Sequence, residues 1–428
     1  MKILVIAHRL PYPPNVGLRL RLYNLYSRLA QNHSVTWVSP IVAEDEPYVE
    51  DVLQFCDEVF PLPGDAAFEL PTQGWRNLFM RAVAHLHWER LFVFLFGRGL
   101  VRNFDWMHGT AERRAFVQQV ADSARWDIVM CETISTIELV PSVAAAPRVA
   151  SLHDITWTVV RRLGRLGPRT WEDRLFHFPE VLRTGWYEKR HYRRFDAAIT
   201  VSDFDKKALK RLCPRLEAFS VDNGTDTSYF HPNSDRDMGN TLAFVATFGY
   251  EPNRDGARYF AERILPRIRA SVPDARLVLV GEMAPAELAM VPGVSLTGEV
   301  PDVRPYLEQA SVVVVPLRAG SGTRIKILDA LAAGKAVVTT SIGMEGLRVE
   351  HGRHVLIADG PEDFTEAVVR LLRNPALRAE MGANGRKLVE QEYDWGMLAR
   401  RFEDVLSGIV NEYKAAHSSS RGRGPHID

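Results

Sequence analysis

The chain has 428 residues, of which 46% are hydrophobic and 25% are charged. This length exceeds what one hydrophobic core usually supports and therefore predicts two domains. The 53 basic and 53 acidic residues cancel, which argues against a nucleic-acid partner because nucleic-acid-binding domains are usually basic.

The spacing of the cysteines and the length of the apolar runs indicate the cellular compartment of the protein. Cys56, Cys131 and Cys213 are far apart in the sequence, so they predict neither a disulfide framework nor a zinc site and favour a reducing compartment. The first apolar run is too short for a signal peptide, and no run approaches the roughly 18 apolar residues that cross a bilayer. We expect a cytoplasmic protein, with the inner face of the membrane as an alternative location.

The N-terminal half of the chain predicts a βαβ unit and further parallel strands. The strand KILVIAH at 2–8 is followed by a proline-rich loop and by leucines at helical spacing from Leu18 to Leu29. A strand at 34–40 completes the unit, which implies parallel pairing. Further strands are predicted at 127–132, 148–154, 197–202 and 218–224.

The segment Trp75–Gly109 interleaves arginines with tryptophans and phenylalanines. We interpret the region of about 70–120 as helices inserted into the first domain. One interpretation is a lid that packs on the sheet. The other is a surface for peripheral membrane contact or a lipid-linked acceptor, because basic and aromatic faces suit a membrane interface.

A second series of strands and helices begins at Leu242. A helix is predicted near 255–270, and strands that are apolar throughout indicate doubly wound parallel sheets. The polar segment 227–240 separates the two series and predicts domains at 1–226 and 241–394. The predicted strands of the second domain are 242–248, 276–281, 294–300, 311–317 and 336–340.

The end of the chain predicts one more helix and a tail. The helix is predicted at 395–416 and could return to the first domain. The tail at 417–428 is predicted to be disordered because it is polar and rich in serine and glycine.

The most informative motif is AGSGTRIKILDALAAGKAVVTT at 319–340. Gly320 and Gly322 allow the backbone to approach a ligand closely, Thr323 can cap the following helix, and Gly334 can end it. The loop leaves the carboxyl end of a parallel strand, which is where open α/β sheets bind ligands.

Arg324 and Lys326 place two cations near the positive end of that helix, which is unfavourable unless an anion binds there. A helix N-terminus in this position binds phosphate, so we predict a diphosphate site. Asp329, one turn further on, can accept hydrogen bonds from a hydroxyl pair such as a ribose diol. The alternative is a plain connection with two solvated cations.

These motifs resemble the retaining GT-B glycosyltransferases, which include glycogen-synthase-like enzymes and bacterial mannosyltransferases. The resemblance is strongest from Leu242 to Trp395, and HRLPYPPNVG, SLHD, ITVSDFD and VDNGTDTSYF occupy the expected places in the first domain. HRLPYPP looks like a branch associated with exopolysaccharide and cell-envelope clusters.

The resemblance implies an α/β fold of two Rossmann-like domains facing across a cleft. It also implies transfer of a sugar from a nucleoside-diphosphate donor to an acceptor hydroxyl, with retention of anomeric configuration. No cofactor and no metal is expected. The acceptor is expected to be a glycan, a lipid-linked molecule or a small molecule.

The family pattern can be carried over residue by residue. Of two family glutamates eight positions apart, the one that holds the ribose falls on Asp329, and the one that contacts the sugar falls on Ser321, a departure from the common form. A family arginine–lysine pair is represented by Arg254 alone. Val300 lies where the family backbone holds the base, and Gly322 and Thr323 complete the expected donor-binding loop.

The remaining candidates have local alternatives. His153 matches a family histidine near the donor sugar and is assigned to catalysis with Arg324 and Lys326, although a His-Asp pair at a strand end is often a local hydrogen-bonding pair. Gly17 and Glu345 are donor-side candidates or turn residues. The acceptor-side candidates, which could also bind donor, are Arg9 and Glu132.

The sequence leaves two other functions open and disfavours a third. A nucleotide-sugar epimerase would show no transfer to an added acceptor, and a non-catalytic subunit would bind donor without turnover. A dinucleotide-dependent oxidoreductase is disfavoured because the loop after the first strand lacks Gly-x-Gly-x-x-Gly.

Overall fold

The computed structural model describes residues 1–15, 17–63, 110–143, 145–163, 171–232, 239–320 and 322–421, with only the backbone at 163, 171–178 and 419–421. The segment Trp75–Gly109, Ser321 and residues 422–428 lie outside this part of the chain. The fold divides into two compact units, Met1–Val221 with the segment from Ala399, and Asp222–Leu398. Element labels below number the described helices and strands.

The first unit contains a seven-stranded sheet in the order β3-β2-β1-β4-β5-β6-β7. Neighbouring strands are parallel, and the central strands are buried on both faces, which explains their unbroken apolar sequences. The strands are β1 Lys2–Ile6, β2 Ser34–Ser39, β3 Glu58–Pro61, β4 Ile128–Glu132, β5 Arg148–Leu152, β6 Ala197–Thr200 and β7 Glu217–Ser220.

The helices of this unit connect the strands and cover the sheet. Thr110 caps α3 by accepting a hydrogen bond from the backbone N–H of Arg113 at 3.2 Å, and Ser202 caps α6 in the same way through Asp205. The helices are α1 Gly17–Leu29, α2 Val49–Leu53, α3 Ala111–Asp122, α4 Thr156–Leu163, α5 Trp171–Tyr192 and α6 Asp203–Leu212.

The second unit contains a six-stranded parallel sheet in the order β10-β9-β8-β11-β12-β13. Its core is formed by the valine strand β11 and by helices on both sides. The strands are β8 Thr241–Val245, β9 Arg276–Val280, β10 Val294–Leu296, β11 Val312–Val315, β12 Val337–Thr339 and β13 Leu356–Ile357.

The helices of the second unit alternate with its strands. The helix predicted near 255–270 is α7 and α8 joined by one turn of π-helix at Phe260–Ile264. The helices are α7 Glu251–Tyr259, α8 Leu265–Ser271, α9 Arg304–Gln309, α10 Ile325–Ala332, α11 Pro361–Arg373 and α12 Pro375–Glu392.

The last helix, α13 Trp395–Arg421, packs on the first unit from Ala399 onward. Phe402 is fully buried there, with its ring 5.8 Å from that of Tyr26, and Glu403 contacts His33 at 2.8 Å. The prediction of disorder from residue 417 is wrong as far as Arg421, because the helix continues and the Ser418 hydroxyl donates back to the Lys414 carbonyl.

The two units join at Val221–Asp222, whereas the sequence placed the boundary at 227–240. The difference has a local cause. The Thr225 hydroxyl donates to Asp329 at 2.6 Å and the Thr227 hydroxyl donates to Asp394 at 2.8 Å, so this polar segment packs within the second unit.

The prediction of two doubly wound parallel sheets is confirmed. The sequence missed β3 and β13, which are short edge strands with only four and two residues. Among the described helices, none combines the length and apolar character needed to cross a membrane.

Candidate functional site

The loop between β11 and α10 leaves the carboxyl end of β11 through two glycines with positive φ, Gly320 at +133° and Gly322 at +73°. A Cβ on Gly320 would lie 2.8 Å from Nη2 of Arg324. The backbone conformation therefore favours glycine at 320, and a larger residue would also have to displace the guanidinium.

Arg324 is the N-cap residue of α10 and is only 7% exposed. Its guanidinium donates to the carbonyl oxygen of Gly322 and, at 3.4 Å, to that of Ile342. The side chain thus links two loops, the one that precedes α10 and the one that follows β12. The prediction that Thr323 caps this helix is wrong, because its buried hydroxyl has no hydrogen-bond partner among the described residues.

Lys326 lies in the first turn of α10, and its Nζ donates to Oδ1 of Asn253 at 2.6 Å. Burial, reinforced by the positive charge of Arg324, lowers the pKa of Lys326 to about 7. Asn253 is in turn held by a hydrogen bond from its amide to the Thr247 carbonyl at 2.8 Å. The amine therefore donates to a neutral side chain and lies 5.1 Å from the centre of the Phe244 ring, and among the described residues no carboxylate pairs with it.

Asp329 lies one turn further along α10 and accepts a hydrogen bond from the Thr225 hydroxyl at 2.6 Å. Burial raises the pKa of Asp329 to about 7, against the opposing effect of Thr225, and the nearby charge of Asp226 raises it further. α10 then ends as predicted, with Gly334 in the left-handed conformation at φ +68°.

The other donor-side candidates of the second unit lie in loops at the carboxyl ends of its strands. Arg254 is in the first turn of α7 after β8 and contacts Glu251 at 3.3 Å. Val300 is half-buried in the loop after β10, beside Gly298, whose carbonyl accepts from the Gly281 N–H at 3.1 Å. Glu345 is half-buried in the turns after β12.

In the first unit, Glu132 ends β4 and His153 follows β5, the neighbouring parallel strand. Their side chains contact at 2.9 Å between Glu132 Oε2 and His153 Nε2. The hydroxyl of Tyr26, on α1, donates to the other carboxylate oxygen at 2.5 Å. Glu132 is 1% exposed, so three elements converge on one buried carboxylate.

The protonation states of this cluster follow from its contacts. Burial acts to raise the pKa of Glu132, but the hydrogen bonds from His153 and Tyr26 outweigh it and the net pKa is lowered. Burial lowers the pKa of His153 despite the carboxylate, and the charge of Arg21 acts in the same direction. A carboxylate therefore accepts from Nε2–H of a neutral imidazole, and Nδ1 has no partner among the described residues.

Comparison with known proteins gives a match within the second unit. Residues 239–374 match the family described as glycosyl transferases group 1. Most of the second unit is therefore similar to a group 1 glycosyltransferase domain. Its matched region contains the whole of α10 with Arg324, Lys326 and Asp329.

Relatives and solved structures extend the likeness beyond this domain. A 44.6 kDa protein in the cps region of Klebsiella pneumoniae is 21% identical over 66% of this chain and 74% of its own length. A phosphatidyl-myo-inositol mannosyltransferase of Mycobacterium tuberculosis is 26% identical over 45% of this chain and 55%, about half, of its own. HepE of Anabaena, solved with UDP-glucose, has a TM-score of 0.63, 14% identity, and coverage of 95% of this chain and 100% of its own.

The structural likeness shows the GT-B fold with two Rossmann-like units, as the sequence predicted. The resemblance to GT-B glycosyltransferases is likewise confirmed. Together with the group 1 match, the relatives support glycosyltransferase activity in glycan biosynthesis and do not favour an epimerase.

The structure brings some of the predicted site residues together. Arg324, Lys326 and Asp329 share the start of α10, and Glu132 pairs with His153. Arg9 is exposed after β1 and Gly17 is the exposed first residue of α1. Ser321 lies outside the described residues.

Sequence reasoning missed four residues that complete these clusters. Tyr26 and Arg21 are on α1, where helical leucine spacing gave no sign of a polar role, and Thr225 is far from Asp329 in sequence. Asn253 is 73 positions from Lys326 in the sequence, and no local pattern links the two residues. Among the described residues, no three His, Cys, Asp or Glu side chains are grouped as metal ligands would be.

Proposed function

We propose that this chain transfers a sugar from a nucleoside-diphosphate donor to an acceptor hydroxyl, with retention of anomeric configuration. The observation that carries the proposal is the position of the amine of Lys326, a half-buried residue in the first turn of α10. Burial and Arg324 both disfavour its charge, and its hydrogen-bond partner Asn253 is neutral. An anionic diphosphate supplies the negative charge that would make this arrangement favourable.

The start of α10 offers three features to a diphosphate. The glycine loop allows close approach of the backbone, the N-terminal N–H groups carry positive partial charge, and Lys326 supplies a full charge on protonation. Arg324 holds the loop through Gly322 and Ile342 and adds its own field. In the reaction, negative charge builds on the leaving diphosphate, and such preorganised groups stabilise it.

Asp329 is proposed to hold the donor ribose. Its carboxylate accepts from the Thr225 hydroxyl, and a ribose hydroxyl can donate to the same group in an equivalent way. Because the pKa of Asp329 is about 7 in the unliganded protein, donation from two ribose hydroxyls would favour the ionised form and lower that pKa.

His153 is proposed to contact the donor sugar. Its Nε2–H is oriented by Glu132, which leaves Nδ1 of the neutral ring as an acceptor for a sugar hydroxyl. Glu132 and Tyr26 act as positioning residues in this proposal, since they fix the ring and its tautomer.

The substrate classes follow from the relatives. HepE was solved with UDP-glucose and the mycobacterial relative is named for mannosyl transfer to phosphatidyl-myo-inositol. We propose a nucleotide sugar as donor and a glycoconjugate as acceptor. Retention is supported by the resemblance of the α10 loop to retaining enzymes, and Arg324 with Lys326 is proposed to replace a metal at the diphosphate.

A two-stage experiment tests this function. A panel of uridine and guanosine diphosphate sugars is first screened for a rise in melting temperature, because a ligand specific to the folded state stabilises it. The donor selected is then incubated with lipid-linked and glycan acceptors, and the anomeric configuration of the product is read by NMR. An inverted product would refute retention, and donor binding without transfer to any acceptor would favour the non-catalytic alternative.

A further inference from the structure

The C-terminal half of α5 carries two large apolar side chains in contact with solvent. Leu182 is 58% exposed and Trp186 is 62% exposed. They are four residues apart and therefore lie on the same face of the helix. Side chains of this size are usually buried, and a pair aligned on one face is a feature to be explained.

Three exposed cations follow Trp186 in the sequence. Lys189 and Arg190 lie in the last turn of α5, at helical spacing from Trp186, and Arg193 lies in the turn just after the helix. None of them forms an ion pair with a carboxylate of the described residues, and the Arg190 guanidinium lies 5.5 Å from the centre of the Trp186 ring. The face therefore presents an aromatic ring and an apolar side chain next to uncompensated positive charge.

Acidic side chains do not neutralise this face. In residues 179–195 the two carboxylates are Glu180 and Glu188. Glu188 points inward, is fully buried, and accepts the backbone N–H groups of Thr156 at 2.8 Å and Trp157 at 3.2 Å. Its charge is directed to the N-terminus of α4 and away from the exposed cations.

The cations also line a surface depression of about 670 Å³ beside Trp186. A second depression of about 680 Å³ shares Lys189 and Arg193 and extends to Arg215. Asp196 also lines it, but this carboxylate pairs with Arg148. The positive surface is therefore broader than one helix face.

The exposed side chains of this surface make none of the contacts that form the Glu132–His153 cluster in the same unit. α5 ends just before β6 begins, so its C-terminal end leads to the amino edge of the sheet, where Asp196 pairs with Arg148 at the start of β5. His153 lies at the opposite, carboxyl edge. Changes on the α5 surface should therefore leave the Glu132–His153 pair intact.

We propose that the surface formed by Leu182, Trp186, Lys189 and Arg190 of α5, together with Arg193 just after the helix, docks the protein on an anionic lipid bilayer. Tryptophan prefers the membrane–water interface, and a basic helix with apolar side chains lies in the plane of that interface. The cations meet lipid phosphates, and Trp186 and Leu182 enter the headgroup region. These five residues lie outside the segment Trp75–Gly109 in the sequence.

The test is flotation of the full chain with vesicles of phosphatidylglycerol and phosphatidylcholine in equal parts, without nucleotide sugar, so that its outcome is independent of the proposed function. Wild type should float with these vesicles, should not float with pure phosphatidylcholine, and should be released by salt. Arg190→Gln with Arg193→Gln should weaken binding by about 25-fold, since each cation contributes roughly 1 kcal/mol, or about fivefold.

The apolar part is tested separately. Trp186→Ala should weaken vesicle binding by roughly tenfold, in keeping with partial burial of one large side chain, whereas Trp186→Phe should retain most of it. Because all these side chains are exposed, the melting temperatures of the variants should match wild type.

The matched control is Arg370→Gln with Lys387→Gln, which removes two exposed cations from α11 and α12. Met290→Ala controls for Trp186, since Met290 is 86% exposed elsewhere. Both controls should bind as wild type does. The proposal is wrong if wild type does not float with anionic vesicles, or if the controls lose as much as the α5 variants. Binding of inorganic polyphosphate without binding of vesicles would also overturn it, by making the surface a site for soluble polyanions.

Discussion

The protonation of Lys326 gives a direct test of the diphosphate site. In the unliganded protein its pKa is about 7, because burial and Arg324 disfavour the charged amine. A bound diphosphate places negative charge beside Nζ and should return the pKa toward or above its ordinary value of 10.5. Binding should therefore be accompanied by proton uptake, and Lys326→Gln should abolish that uptake.

The magnitude follows from the two pKa values. At pH 8 an amine with a pKa of about 7 is protonated in roughly a tenth of the molecules, whereas in the complex it is almost fully protonated, so binding should take up about 0.9 proton. The fraction charged before binding falls from about one half at pH 7 to about one hundredth at pH 9. The dissociation constant should accordingly rise about fiftyfold over this interval in wild type and stay nearly constant in Lys326→Gln.

The same proton balance affects stability. The pKa of Lys326 is lower when folded than when unfolded, so between about pH 7 and 10.5 the unfolded chain binds more protons. Stability therefore rises with pH through this interval. Lys326→Gln should remove this dependence, and below pH 7 it should be more stable than wild type.

The assay is calorimetry at pH 8 with a nucleoside diphosphate in two buffers that differ in ionisation enthalpy. The difference in measured heat gives the protons taken up. The matched control is Lys335→Gln, which removes the same charge just beyond the opposite end of α10, where Nζ donates to the Glu308 carbonyl at 2.7 Å. It should preserve both affinity and proton uptake. If wild type takes up no more protons than Lys326→Gln, the diphosphate does not contact Lys326 and the reasoning fails.

Three further predictions concern two residues of the first unit and the independence of the reaction from metal ions. His153→Ala should reduce turnover at least tenfold while leaving nucleoside-diphosphate affinity unchanged in calorimetry; equal losses in both would make the residue structural. Burial raises the pKa of Glu188 from its ordinary 4.5 to about 7 in the folded protein, so the folded chain binds more protons than the unfolded chain in this interval. The stability of wild type should therefore fall as the pH rises from about 4.5 to 7. Urea unfolding should show this loss, by up to roughly 3 kcal/mol relative to Glu188→Gln; parallel pH profiles would contradict it. Transfer activity should survive dialysis against EDTA, and a loss restored by magnesium or manganese would refute the metal-independent proposal.

The sequence by itself determined the class of fold and the position of the donor loop. Continuous valine and leucine runs such as β11 and β1 are buried on both faces of a parallel sheet, so apolar content alone identifies them. Gly320, Gly322 and Gly334 encode backbone conformations directly, since each adopts a positive φ that other residues disfavour. Local chemistry of this kind is legible without tertiary information.

Tertiary structure decided which groups share a site and what charge they carry. Glu132 and Tyr26 are 106 positions apart, as Thr225 and Asp329 are 104 apart, and no local pattern links them. The pKa of Lys326 depends on burial and on Arg324, and burial exists only once the chain has folded. The sequence therefore indicated two cations at the start of a helix. In the folded structure Arg324 holds the preceding loop, whereas burial and Arg324 lower the pKa of Lys326 to about 7.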